Sequence, residues 1–189
     1  MILLKRFKYN SPVILSFSLI AVLIYLMTFL DPRFAQRFFM VGANMNPFNP
    51  IDYFRLVSHV LGHANWAHLV SNLSFILLLG PILEEKYGSR HIFWMILLTA
   101  GLTGIINIMF FSTALLGASG IVFMLIILVS IVDIEQGYIP LTFVLVSIIF
   151  LGKELINIFE PDSVSQMAHI IGGVAGAVCG FFLEHKSNY

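Results

Sequence analysis

Apolar residues in this chain come in unbroken blocks. Six stretches contain no Asp, Glu, Lys or Arg: 13–30, 69–83, 92–111, 119–132, 138–151 and 167–183. Their lengths are 18, 15, 20, 14, 14 and 17 residues, so 98 of the 189 residues lie in charge-free sequence. A bilayer hydrocarbon core about 30 Å thick takes about 17–25 apolar residues per helix. Three stretches reach that length. The other three reach it if uncharged polar residues extend them, or if they end below the membrane surface inside a bundle. Backbone that crosses lipid must hydrogen-bond within its own segment, and the alternation of a membrane barrel is absent. The pattern therefore predicts an all-α polytopic membrane protein with six spans.

Composition agrees. Of all residues, 59% are hydrophobic and 11% charged, against roughly 25% charged in a soluble domain. So few charges cannot cover the surface of a soluble globule of this size. The same figures exclude a disordered chain, a basic nucleic-acid binder and a collagen-like fibre. The formal net charge of zero names no partner. Cys179 is the sole cysteine, so no intrachain disulfide forms; it reads as a small buried apolar side chain.

The placement of basic residues sets the expected topology. With the N-terminus inside, Lys5, Arg6, Lys8, Lys86, Arg90 and Lys186 fall on the cytoplasmic side, and Arg33, Arg37, Arg55 and Lys153 on the outer side. No small-x-small cleavage site follows the first span, so it reads as a retained helix rather than a signal peptide. The expectation is N-in and C-in, with residues 1–11 a cytoplasmic segment and 1–189 a single domain. Residues 31–66 form a long outer segment rich in aromatics and proline, expected to lie on the outer leaflet.

In that topology spans two, four and six all start from the outer side, and each begins with polar residues. Span two carries His68 and Asn72, span four begins at Ser119, and span six carries His169. Polar groups inside a membrane are costly unless paired, so each marks a functional site by default. Fourteen residues at 1.5 Å each cover about 21 Å, which places Ser119 roughly 10 Å below the outer surface. Structural roles stand beside the functional ones. Gly117, Ser119 and Gly120 are small residues that let helices approach, and Asn72 also reads as interhelical glue. Gly172, Gly176 and Gly180 recur every four residues, which points to close packing. His59 and His63 would share a helix face as zinc ligands do, but no glutamate sits beside His59, and hydrogen bonding is the simpler role.

Together the residues point to nucleophilic acyl transfer. A serine hydroxyl needs a base, and His169 is the only Asp, Glu, Lys or His within spans four and six. His68 and Asn72, one helical turn apart, can both donate to an oxyanion, with the Ser119 amide as a third donor. No carboxylate lies in the apolar stretches, so the machinery would be a dyad rather than a triad.

The motifs His59-xxx-His63-xxxx-His68-xxx-Asn72, Glu84-xxx-Gly88, Gly117-Ala118-Ser119-Gly120 and Ala168-His169-xx-Gly172-xxx-Gly176 occur in that order. In this the chain resembles the rhomboid intramembrane serine proteases of the six-helix bacterial type, over about residues 50–184. The resemblance implies Ser119 as nucleophile, His169 as general base, and His68, Asn72 and the Ser119 amide as oxyanion hole. Gly117, Gly120, Gly172 and Phe123 support the site. It implies no cofactor and no metal, and single-pass membrane proteins as substrates, entering by span five and the outer loops. The location implied is the bacterial inner membrane, with the site opening to the periplasmic side. Arg55 would belong to a membrane-embedded outer loop, and Glu84 would anchor the inner end of span two. Where the family often has tyrosine four residues after the serine, this chain has Phe123. Two further readings remain open: a non-catalytic rhomboid-like binder of membrane helices, and a metal-dependent membrane protein using His59, His63 and His68. Oligomeric state is not legible.

Overall fold

A computed structural model describes residues 8–42, 45–111 and 114–135, with 141, 144, 145, 148, 170–176 and 178 from the last third of the chain. Residues 1–7, most of span five, His169 and Cys179 lie outside the described residues. The described part is all-helical and holds no β-strand. The order is α1 (Pro12–Met27), α2 (Phe34–Phe39), α3 (Pro50–Ser58), a 3-10 turn (His59–Leu61), α4 (Trp66–Tyr87), α5 (Ser89–Phe110) and α6 (Ser119–Glu135). Residues 170–176 form a further helical segment. By length and composition α4 and α5 are each able to cross a membrane, while α1 and residues 119–129 of α6 are shorter apolar helices.

Three helices overrun the charge-free stretches that announced them; one is the third span, read as 92–111, whose helix begins at Ser89. The second span, read as 69–83, is helical over Trp66–Tyr87, and the fourth, read as 119–132, continues to Glu135. Charge marks where a side chain prefers water, whereas a helix ends where its backbone hydrogen bonds end. The first span is shorter than read. α1 stops at Met27 and passes into a turn in which Thr28 Oγ1 donates to the Tyr25 carbonyl at 2.6 Å.

The start of α1 shows how distant parts of the chain are tied. Ser11 occupies the N-cap position before Pro12 but makes no side-chain capping bond. Glu84, seventy residues on in α4, takes that role. Its two carboxylate oxygens accept the amides of Val13 and Ile14, each at 3.0 Å. A carboxylate at a helix N-terminus satisfies orphan amides and meets the positive end of the helix dipole. Glu84 is therefore an anchor, as expected, and its partner is the first helix.

The segment between α1 and α4 is ordered by short helices among its described residues. Arg55 in α3 donates to Asp52 Oδ1 at 2.6 Å and to the Arg37 carbonyl, which ties α3 to α2. Phe39 stacks obliquely on Phe54, with ring centroids 5.9 Å apart. Gly104 admits the backbone of Leu56, so α3 lies hard against α5. One core runs through α1, α4, α5 and α6, from Ile14 to Ile76, Leu83, Ile92, Met124 and Leu128.

Candidate active site

Ser119 opens α6, and the chain before it is held at two points. Val41 and Leu115 exchange backbone hydrogen bonds at 3.0 Å in an isolated antiparallel bridge. Two residues later, the Gly117 amide donates to the His59 carbonyl at 3.0 Å. That carbonyl also accepts from Gly62 at 3.2 Å. The His59 segment thus fixes the approach to Ser119 through backbone rather than through its imidazole. The side chain of Ser119 is buried, and as the first residue of a helix its amide has no intrahelical acceptor.

Gly117 adopts φ +133°, which side-chain-bearing residues rarely do. A Cβ there would stand 2.5 Å from His68 Cε1 and 2.7 Å from Nε2. The absent side chain is what lets the His68 ring lie against the backbone two residues before Ser119. On α4, Asn65 caps the helix by accepting the His68 amide at 2.9 Å, which fixes the His68 backbone in the first turn. Asn72 is one turn further along, buried, and its Nδ2 has no hydrogen-bond partner among the described residues. A buried amide of that kind is a donor awaiting an acceptor.

The helical segment at 170–176 meets α6 backbone to backbone. A Cβ on Gly172 would collide with the Gly120 carbonyl, and one on Gly176 would stand 2.7 Å from the Met124 oxygen. The four-residue glycine spacing is therefore a packing face, and its partner is the first turn and a half of α6. Phe123 is buried between the two, with a Cβ on Gly173 falling 3.9 Å from its Cδ1. His169, the expected base, lies outside the described residues, three positions before Gly172 in the sequence.

His59 and His63 are both buried and belong to the connection between α3 and α4, outside the long helices. His59 Nδ1 lies 3.1 Å from the Leu56 carbonyl and 3.3 Å from that of Arg55, and its Nε2 faces Thr103 Oγ1 at 3.5 Å. His63 stacks edge-on against His68, with ring centroids 5.1 Å apart. Burial lowers the pKa of His59 to about 4. Burial, with the neighbouring His68, lowers that of His63 to about 3. Both are neutral supports: each Nδ1 lies against backbone carbonyls, and His59 Nε2 also meets the Thr103 hydroxyl. Among the described residues no three His, Cys, Asp or Glu side chains gather as a metal site would need.

Sequence reasoning passed over Thr103, the His59 carbonyl and the capping role of Asn65. An asparagine just before an apolar helical run is itself a capping signal. The other two act through contacts that no spacing rule exposes.

A rhomboid domain model matches residues 50–186, and the chain belongs to the rhomboid family. It is thereby an integral membrane protein of a family composed mostly of serine intramembrane proteases. It is 25% identical over 138 residues to the rhomboid protease GlpG of Haemophilus influenzae, covering 69% of each chain. It is 27% identical over 139 residues to the chloroplastic rhomboid-like protein 11 of Arabidopsis thaliana, covering 72% of this chain and 46% of that one. The chain thus spans under half the length of the plant relative.

Proposed function

We propose that this protein is an intramembrane serine endopeptidase that cleaves single-pass membrane proteins in or near their transmembrane segment. Ser119 is the nucleophile and His169 the general base, forming a dyad. His68, Asn72 and the Ser119 amide receive the oxyanion. The observation that carries the reading is the contact of Gly172 and Gly176 with the α6 backbone. It supports a histidine three residues before Gly172 working on a serine one residue before Gly120. The orphan donor of Asn72 and the seating of His68 against Gly117 support the oxyanion hole.

Chemically, His169 takes the Ser119 hydroxyl proton as the oxygen attacks the scissile carbonyl, and returns it to the departing amine. Water, activated by the same imidazole, then releases the acyl group. The oxyanion formed in each step is stabilised by donors already fixed in place, which is worth about two to three orders of magnitude per donor. Phe123 offers a stacking face beside the dyad without a hydroxyl. The six-span N-in/C-in arrangement belongs to the same proposal, as do the bacterial inner membrane and a site opening outward.

The test is labelling of the detergent-solubilised protein by a fluorophosphonate, together with cleavage of a transmembrane reporter. Ser119→Ala is expected to abolish labelling and lower cleavage by at least about a thousandfold, with the melting temperature unchanged. Cleavage undiminished in that variant overturns the assignment. Substrate capture without labelling in the unaltered protein would favour a non-catalytic binder.

A further inference from the structure

α3 packs against α5, and α1 does not close against that pair along one flank. They leave a cavity of about 520 Å³ whose walls are almost wholly apolar. Phe17 and Ile20 of α1, Phe54 and Val57 of α3, and Phe93 and Leu97 of α5 form its sides. Water is a poor occupant, because a water molecule needs two to four polar partners. The cavity opens to the surface of the molecule, so whatever fills it comes from outside the chain. In an integral membrane protein the neighbouring solvent is lipid.

The charge at one end states which lipid. The cavity begins at Pro12, Val13 and Ser16, in the first turns of α1. Tyr9 folds back there, with its hydroxyl 2.9 Å from Ser16 Oγ. Lys8 directly precedes Tyr9, and Arg90 lies one helical turn before Phe93. Both are exposed, and neither has an ion-pair partner among the described residues. Two cations close in sequence to the residues that begin the slot match an anionic headgroup joined to an acyl chain, and the Glu84 carboxylate at that end is already engaged by the Val13 and Ile14 amides. We infer that the cavity between α1, α3 and α5 binds one acyl chain of an anionic phospholipid, with Lys8 and Arg90 receiving its headgroup. The site shares no residue with Ser119, His68 or Asn72, and it needs only that the chain is embedded in a membrane.

The experiment uses the full chain, delipidated in detergent and titrated with dioleoyl phosphatidylglycerol or dioleoyl phosphatidylcholine, with bound lipid counted by native mass spectrometry. The unaltered protein is expected to hold one phosphatidylglycerol about tenfold more tightly than phosphatidylcholine. Lys8→Gln with Arg90→Gln alters only exposed residues and is expected to erase that preference. Leu97→Trp and, separately, Ile20→Trp fill the slot and are expected to lower binding of both lipids by about tenfold. Equal binding of both lipids by the unaltered protein overturns the headgroup assignment. Lipid occupancy unchanged in both tryptophan variants overturns the cavity as the site. So does co-purification of a membrane peptide, rather than lipid, that those variants displace.

Discussion

The two flanks of the bundle are packed by different rules. On one, glycines at 117, 172 and 176 bring backbone against an imidazole ring or another backbone, with no space for a methyl group. On the other, α3 still meets α5 closely at Gly104, but long apolar side chains of α1, α3 and α5 border an open cavity. The dense flank holds every described residue of the proposed site. The contrast shows where tolerance has been removed. Acyl transfer depends on atoms placed within fractions of an ångström, while an acyl chain can adapt to its slot.

The sharpest way to break the contrast is Gly172→Leu. Neither backbone can retreat without displacing its helix, so loss of folded, active protein is expected, read by thermal unfolding and labelling of Ser119. Normal stability would mean that the dense flank is no denser than the other. Next comes acid. His59 and His63 are neutral when folded, with pKa values of about 4 and about 3, against 6.5 for the free side chain. Above pH 6.5 neither state binds these protons. Below it the unfolded chain takes them up first, so stability falls from pH 6.5 down to about 4, by on the order of 3 kcal/mol for His59 alone. Melting temperatures across that range check it, and His59→Phe should flatten the slope. Gly117→Ala combines a strained φ with a methyl group against His68. It is expected to cost about 1–3 kcal/mol, and to lower reporter cleavage more than the stability loss explains. The smallest effect belongs to the open flank. Leu97→Ala should cost less than about 1 kcal/mol, because it enlarges an existing space rather than creating one. A larger loss in the melting temperature would show that the slot is packed after all.

Much of this was legible in the sequence, for reasons that particular residues make plain. Lipid demands long apolar runs, so α1, α4, α5 and α6 announce themselves. Polar residues at the head of such runs are conspicuous, so His68, Asn72 and Ser119 stand out with no structure at all. Glycine every fourth residue declares a packing face, but only the register between helices shows that Gly172 meets Gly120 and Gly176 meets Met124. The bond from Glu84 to the first turn of α1 joins residues seventy apart and obeys no local spacing. The cavity was invisible for a different reason. Phe93 and Leu97, which line a slot, look in sequence just like residues that face bulk lipid.

Glu84 also bears on where this protein can be cut. The rhomboid domain match begins at residue 50, after α1 has ended. Yet a carboxylate buried within the matched region spends both its oxygens on the opening amides of that earlier helix. A fragment starting at residue 50 would leave both Glu84 oxygens without the amides they accept from and the α4 core without its α1 cover. The region matched to the family is thus smaller than the unit that Glu84 ties together, which reaches back to the first turn of α1.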